Sequence, residues 1–147
     1  MLTWLEEAEK KELLSNLQEA IDKGEVDEAL LPYLGKLNSF PGICTKGSCE
    51  GHGRRGEYTP EMIEMEEKNS EVFFSPPPYV IFRLSKQMAE FFREGIIPLL
   101  SDVSQVIMEP YSFENEGVKS ELSINFKPDM WEKGVSIILE ELRKHPN

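Results

Sequence analysis

The chain has 147 residues, of which 39% are hydrophobic and 29% charged, and its formal net charge at pH 7 is −11. This composition excludes a disordered chain, because it is too apolar, and a membrane-spanning protein, because it is too charged. The length is typical of one domain, which we predict to span residues 1–147. The N-terminus lacks the basic start and the apolar core of a signal peptide, so we expect a cytoplasmic protein without a membrane partner.

The negative charge opposes non-specific binding of nucleic acid, which requires a surface rich in cations. The overall negative charge does not exclude a local basic site. Residues 43–56 carry Lys46, Arg54 and Arg55 against a single acidic residue, Glu50. The next segment, residues 57–71, is strongly acidic, and this pattern is typical of a solvated helix face.

Two helices are predicted before the first clear strand. Apolar residues recur at helical spacing from Leu5 to Ile21, with Thr3 as the expected N-cap and Gly24 as the expected C-terminal stop. A second helix is predicted to begin at Asp27 and to end before Pro41-Gly42. Residues 43–48 are rich in residues that favour strands, and the glycines that follow predict a loop.

The second half of the chain alternates between strands and helices. Residues 58–70 predict an acidic helix opened by Thr59-Pro60, and residues 79–84 predict a strand. A helix capped by Ser85 follows, which Pro98 should kink or end. Strands are predicted around residues 106–108 and 122–126, with a turn at residues 115–117 and a last helix from Pro128-Asp129. We therefore predict an α/β (α+β) fold, with a mixed sheet of about four strands and a C-terminal hairpin covered by helices.

The segment Gly42–Arg55 is the most unusual part of the sequence, since it holds both cysteines and four of the ten glycines. Glycines let backbone amides converge and let a ligand approach closely, so the segment predicts a cradle for a phosphate or carboxylate. A simple loop is the alternative interpretation. The residues predicted to bind a cofactor or another small anionic or nucleotide-like ligand are Gly47, Ser48, Gly51, Gly53, Arg54 and Arg83.

Cys49 lies three residues before His52, and a nearby imidazole in a basic setting lowers the pKa of a thiol. These two residues are the candidate catalytic pair, with Cys49 as nucleophile and His52 as base. The alternative is a small buried thiol and a loop histidine. A zinc site formed by Cys44, Cys49 and His52 is a further alternative, although it lacks an obvious fourth ligand. On a regular strand Cys44 and Cys49 would face opposite sides, so we expect thiols rather than a disulfide.

Arg83 stands out because it interrupts an apolar strand. One interpretation is a side chain at the edge of the sheet; the other is an anion ligand directed toward the glycine-rich loop. Both remain open from the sequence. A homodimer is also compatible with the chain, through the second helix or the apolar run at residues 72–74.

The segment from Leu31 to His52 resembles the N-terminal signature of the wybutosine-synthesising tRNA methyltransferase family. The shared pattern is a helix that ends in Leu37-Asn38-Ser39, a strand with Thr45, and then Ser48-Cys49-Glu50-Gly51-His52, where the family has Ser-Cys-Ser-Gly-Arg. The Ser-Cys-x-Gly-His stretch is also similar to one in uncharacterised small microbial proteins. The family resemblance implies an α/β fold, S-adenosylmethionine as cofactor, methyl transfer to a modified guanosine in tRNA, and an active region around Ser48, Cys49, Gly51 and His52.

Two functional hypotheses follow from these features. In the first, the chain is a methyltransferase-like enzyme that modifies RNA or nucleotides and uses the segment Gly47–Arg55. In the second, it is a non-catalytic module in which the same segment recognises a ligand or a protein, and the acidic residues 57–71 contact a basic partner.

Overall fold

The computed structural model describes residues 2–49, 59–68, 78–108, 111–114 and 117–145. The helices are α1 (Glu7–Asp22), α2 (Leu31–Asn38), α3 (Pro60–Lys68), α4 (Lys86–Phe91) and α5 (Trp131–Lys144). The strands are β1 (Leu2–Thr3), β2 (Ile43–Cys49), β3 (Tyr79–Leu84), β4 (Ser104–Met108), β5 (Tyr111–Glu114) and β6 (Gly117–Phe126). These elements form the expected α+β arrangement. None of the described helices is both long enough and apolar enough to cross a bilayer.

The longest strand, β6, lies at the centre of a mixed sheet. It pairs antiparallel with β3, β4 and β5 and parallel with β1, and β2 pairs with the far edge of β3. The predicted strand around residues 106–108 is β4, and it pairs with β6 as expected. The predicted C-terminal hairpin is formed by β5 and β6, in which Glu114 pairs with Gly117. The apolar run at residues 72–74, predicted as a dimer contact, lies outside the described residues.

One face of the sheet carries the apolar core. Alternate residues of β2, β3 and β6 are buried there against α2, α4 and α5, as their period of two requires. The core residues of these strands are Ile43, Val80, Phe82, Leu84, Leu122, Ile124 and Phe126. The predicted apolar face of α5 packs against them through Val135, Ile138, Leu139 and Leu142. The opposite face of the sheet carries Arg83, Glu121 and Ser123, which are polar and buried.

Several helix boundaries follow the predicted caps. Ser85 Oγ accepts a hydrogen bond from the Met88 amide, and Thr59 Oγ1 accepts one from the Met62 amide, so α4 and α3 begin as expected. Residues 92–96 form a π-helical turn and residues 97–100 a 3₁₀ turn. The disturbance predicted for Pro98 is therefore present, because proline cannot continue the regular ladder of hydrogen bonds.

The predicted start of the first helix was wrong. Thr3 lies in β1 and pairs with Lys119 of β6, and α1 begins four residues later with Glu6 as its N-cap. Pairing with the sheet satisfies the backbone of Thr3, and this long-range contact outweighs the local capping signal. Asp27 does precede the helical turn at residues 28–30, but its side chain makes no capping hydrogen bond.

Candidate functional site

The described part of the unusual segment is β2, at the end of the strand order β1-β6-β3-β2. The strand covers Ile43–Cys49, as predicted for residues 43–48. It lies between the Pro41-Gly42 turn and residues 50–58, which lie outside the described residues. The predicted residues Gly51, His52, Gly53 and Arg54 are among these, and the side chain of Cys49 is not described either. Their roles stay predictions.

Asn38 and Thr45 fasten the end of α2 to β2. Asn38 Oδ1 accepts a hydrogen bond from the Thr45 amide at 2.8 Å, and Asn38 Nδ2 donates to Thr45 Oγ1 at 2.9 Å. Thr45 is 5% exposed, so these bonds are shielded from water. The two residues belong to the pattern that carries the family resemblance, and their structural role is to fix the path of the chain into β2.

Loss of the Asn38–Thr45 pair should lower the free energy of unfolding. Asn38→Ala leaves the buried amide and hydroxyl of Thr45 without their partner, at an expected cost of about 1–3 kcal/mol. Thr45→Val removes only the hydroxyl, so it should cost less. Urea denaturation of both single variants and the double variant forms a double-mutant cycle. Strictly additive effects would show that the two side chains do not stabilise each other.

A β-bulge at Lys46 changes the expected orientation of β2. The register pairs Thr45 with Phe82 and Gly47 with Ile81, which leaves Lys46 as the extra residue. The alternation of faces is therefore shifted by one residue within the strand. The expectation that Cys44 and Cys49 face opposite sides assumed a regular strand, and the backbone between them contains this bulge. Lys46 forms an ion pair with Glu121 of β6.

Gly47 and Ser48 are half-buried on β2. A Cβ atom at Gly47 would lie 3.5 Å from Ile81 Cδ1, which is an ordinary contact. Local packing therefore does not require a glycine at this position. Another physical reason for a glycine at position 47 is the close approach of a ligand to the backbone, because glycine has no side chain to cover the peptide. The assignment of Gly47 and Ser48 to a ligand site stays a prediction.

Cys44 is a free, fully buried thiol. Burial raises the pKa of its thiol above the ordinary value of 9.0, and the nearby Lys10 charge only partly opposes this effect. A thiol with a raised pKa carries little thiolate near neutral pH, and thiolate is both the nucleophile and the metal ligand. Among the residues that the structure describes, no group of three or more His, Cys, Asp and Glu side chains is placed to hold a metal ion. The zinc alternative for Cys44, Cys49 and His52 stays a prediction.

Cys44 should resist alkylation in the native protein. We expect iodoacetamide at neutral pH to modify the Cys44 peptide only after denaturation, because the thiol is buried and protonated. Peptide mass spectrometry of native and denatured samples measures this protection. Since a raised pKa suppresses thiolate at neutral pH, the native reaction should accelerate only as the pH rises toward that higher value. Rapid native labelling at neutral pH would contradict the burial of this side chain.

Arg83 is the centre of a buried charge cluster on the polar face of the sheet. Its Nε and Nη2 donate to the two carboxylate oxygens of Glu9 at 2.8 and 2.7 Å, and its Nη1 donates to the carbonyls of Thr3 and Ser120. The Arg83 side chain is 1% exposed. The edge interpretation was wrong, because β3 is paired on both sides, by β2 and β6. A direct contact of Arg83 with an anionic ligand stays a prediction, and the four hydrogen bonds described here are all made within the protein.

The cluster also shifts the titration of Glu9. Burial by itself would raise the pKa of the Glu9 carboxyl, but the hydrogen bonds and charge of Arg83, together with Lys119, lower it below the ordinary value of 4.5. Glu9 is thus held as a carboxylate at neutral pH. The cluster joins α1 to β1, β3 and β6. In the sequence, the one sign of this charge cluster was an arginine within an apolar strand.

A pocket of about 430 Å³ lies at the other end of β2, beside the Pro41-Gly42 turn. It is bordered by the first turn of α1, the N-terminus of α4 and His145 at the end of α5. Gly42 has a φ of +75°, and a Cβ atom there would lie 2.5 Å from Ser85 Oγ, so only glycine fits this wall. The ring of His145 stacks on that of Phe91, with the ring centroids 4.0 Å apart.

Sequence similarity to known proteins lies in the part of the chain that contains α1, α2 and β2. Residues 8–55 match the family model described as Methyltransferase TYW3, so this segment resembles a family of tRNA-modifying methyltransferases. The relatives include proteins of Pyrococcus horikoshii and Pyrococcus furiosus named tRNA(Phe) 7-((3-amino-3-carboxypropyl)-4-demethylwyosine(37)-N(4))-methyltransferase 1. Each is 49% identical over 45 residues, which are 31% of this chain and only 23% of the relative.

The fold is similar to that of a solved structure over most of its length. The PH1069 protein from Pyrococcus horikoshii superposes with a TM-score of 0.53, and the match covers 94% of this chain and 85% of that one. The sequence identity is 20%, so this likeness concerns the fold alone. The resemblance inferred from residues 31–52 is confirmed, and it extends over α1 as well.

Proposed function

We propose that this chain takes part in S-adenosylmethionine-dependent methyl transfer to a modified guanosine in tRNA. The observation that carries the proposal is the match of residues 8–55 to the methyltransferase family, at 49% identity to two named tRNA methyltransferases over 45 residues. The structure supports it in one respect. The matched segment covers nearly all of α1 together with α2 and β2, and Asn38 and Thr45 hold α2 to β2 within it.

The chemistry of the β2 region is compatible with the cofactor. When bound, S-adenosylmethionine supplies a sulfonium methyl group that an amine can accept. Ser48 and the backbone at Gly47, Gly51 and Gly53 offer the hydrogen-bond donors and acceptors that ribose and carboxylate groups require. Gly47 is half-buried on β2, and a Cβ atom there would make only ordinary contacts with Ile81 and Tyr79, so packing within the chain does not account for the glycine.

Each predicted site residue has a distinct part in this proposal. Arg54 binds an anionic group of the cofactor or the tRNA, and Cys49 and His52 lie at the reacting atoms. The protein mainly orients donor and acceptor, and His52 or Glu50 takes the proton that the accepting nitrogen loses. Arg83 contributes as a positioning residue, because its pair with Glu9 holds α1 against the sheet beside β2.

The test measures methyl transfer and cofactor binding separately. The wild-type chain is titrated with S-adenosylhomocysteine by calorimetry, and tRNA that carries the demethylated nucleoside is digested and analysed for a gain of one methyl group. We expect Gly47→Ala, His52→Ala and Cys49→Ala to reduce transfer by about tenfold or more without loss of folding. Gly35→Ala is the matched control, because nothing lies within 4 Å of a Cβ at that exposed position. A wild-type chain that binds no cofactor and transfers no methyl group would overturn the proposal.

A further inference from the structure

The face of the sheet opposite the apolar core has two different halves. In the half beside α1, the side chains of Arg83 and Glu121 are buried and each is held in an ion pair. The other half lies further along the same strands, and its side chains alternate with the core residues of β3 and β6: Tyr79, Ile81, Ser123 and Asn125. Together with Gly47 of β2, which pairs with Ile81, these residues are named the uncharged patch.

The polar groups of the uncharged patch are not used within the described part of the chain. Ser123 is only 7% exposed, yet its hydroxyl makes no hydrogen bond with any residue that the structure describes. The same is true, among those residues, of the carboxamide of Asn125 and the hydroxyl of Tyr79, which are half-buried. Because buried polar groups in native proteins nearly always have a hydrogen-bond partner, these groups indicate a partner from outside the chain.

An aromatic ring lies beside a glycine in this patch. The place where a Cβ atom of Gly47 would lie is 3.5 Å from Ile81 Cδ1 and 3.9 Å from Tyr79 Cε2. The two side chains therefore flank a position that has no side chain of its own. The patch offers a ring for stacking, and the Asn125 carboxamide and Ser123 hydroxyl both donate and accept hydrogen bonds. A planar nucleobase matches this chemistry, because its face stacks on aromatic rings and its edge carries donors and acceptors.

The patch lies next to a residue that the proposed function places at the reacting atoms. Tyr79 is the Cα partner of Cys49 in the pairing of β2 with β3, and it is the Cα partner of Asn125 in the pairing of β3 with β6. Directly opposed residues of antiparallel strands lie about 4.5–5.5 Å apart. A nucleobase held at Tyr79 is therefore beside the end of β2 at which Cys49 lies.

We infer that the uncharged patch binds the nucleobase that accepts the methyl group, which stacks on Tyr79 and is held at its edge by Asn125 and Ser123. The inference rests on the proposed function for the identity of this nucleobase. Enzymes that modify a base hold it away from its stacked neighbours by aromatic contacts and hydrogen bonds to its edge. The formal net charge of −11 opposes contacts with phosphates, so recognition through the nucleobase suits this chain.

The experiment compares tRNA with and without this nucleobase. The full chain is titrated by calorimetry with tRNA that carries the demethylated nucleoside, with the same tRNA after its nucleobase has been removed, and with S-adenosylhomocysteine. The variants are Tyr79→Leu, which removes the ring, Tyr79→Phe, which keeps it, and Asn125→Ala. Tyr33→Leu is the matched control, because Tyr33 is also half-buried but its ring contacts Trp131 on the core side of the sheet.

We expect Tyr79→Leu to weaken binding of the complete tRNA by about tenfold or more, as for the loss of one stacked base, and Asn125→Ala to weaken it about two- to tenfold. Tyr79→Phe and Tyr33→Leu should leave this affinity unchanged. All chains should bind the tRNA without the nucleobase equally, whereas a variant with impaired folding would bind both forms less well. Thermal unfolding checks each variant, and Asn125→Ala alone decides if Tyr79→Leu does not fold.

Two results would overturn the nucleobase site and leave the proposed function intact. One is equal binding of the complete tRNA by the wild type, Tyr79→Leu and Asn125→Ala. The other is weakened binding of S-adenosylhomocysteine with unchanged binding of tRNA, since the patch would then hold the adenine of the cofactor. A wild-type chain that binds neither the tRNA nor S-adenosylhomocysteine would overturn both proposals.

Discussion

Arg83→Met should destabilise the protein by about 3–5 kcal/mol, because it removes the bidentate partner of a largely buried carboxylate and leaves Glu9 with only Lys119, 3.6 Å away. The Arg83 side chain is 1% exposed and Glu9 20%, and the pair is bidentate, with N–O distances of 2.8 and 2.7 Å. The substitution also frees the carbonyls of Thr3 and Ser120, which now accept from Nη1. Urea denaturation followed by circular dichroism measures the loss.

An exposed ion pair of the same helix provides the control. Lys23 and Glu19 are 59% and 64% exposed, so Lys23→Met should change stability by no more than about 0.5 kcal/mol. The double variant Arg83→Met/Glu9→Gln should regain part of the loss, since no buried charge then remains unpaired. Equal effects of Arg83→Met and Lys23→Met would contradict the buried cluster.

The same cluster makes part of the stability depend on pH. The pKa of Glu9 is lowered in the folded chain, so the unfolded chain binds its proton at a higher pH than the folded chain does. The contribution of the Glu9 carboxylate is therefore complete above the ordinary value of 4.5 and is lost as the pH falls through the lower folded value. The difference in unfolding free energy between wild type and Glu9→Gln should shrink over that acidic range. A difference that is constant with pH would contradict the assignment.

Gly134→Ala should destabilise the protein by about 1–3 kcal/mol through overpacking. A Cβ atom at this position would lie 2.3 Å from Phe126 Cε1 and 2.5 Å from Phe126 Cδ1. The Phe126 ring is fully buried between β6 and α5, so neither the ring nor the helix can move without disturbing the core. Thermal or urea unfolding measures the effect.

Gly35→Ala tests the same chemical change where space is available. Nothing lies within 4 Å of a Cβ at Gly35 in α2, so alanine should stabilise the helix by about 0.5–1 kcal/mol. Opposite signs for the two substitutions are the expected result. Stabilisation by both would show that α5 is not packed against Phe126 as closely as described.

Local signals in the sequence predicted much of the fold. Periodicity located α5 and β3, and the hydroxyl caps at Thr59 and Ser85 located the starts of α3 and α4, because these features depend on neighbouring residues. The errors have long-range causes. Thr3 pairs with Lys119 across the sheet, and no cap rule includes a partner so distant along the chain.

Less of the candidate site could be predicted from the sequence. Arg83 was noticed, but its partner Glu9 is 74 residues away and is one of many glutamates. The expected orientation of Cys44 and Cys49 assumed a regular strand, whereas the pairing of β2 with β3 contains a bulge at Lys46. The pocket joins α1, α4 and α5, so its residues share no sequence motif.

The most direct test of the proposed function is transfer of a labelled methyl group from S-adenosylmethionine to tRNA. The purified full chain is incubated with labelled cofactor and with tRNA that carries the demethylated, amino-carboxypropylated nucleoside, and nucleosides are analysed by mass spectrometry. We expect one labelled methyl group on that nucleoside and none on tRNA that lacks the modification, with His52→Ala strongly reduced. Absence of label with the wild-type chain, under conditions in which a curated relative methylates the same tRNA, would contradict the proposed methyl transfer.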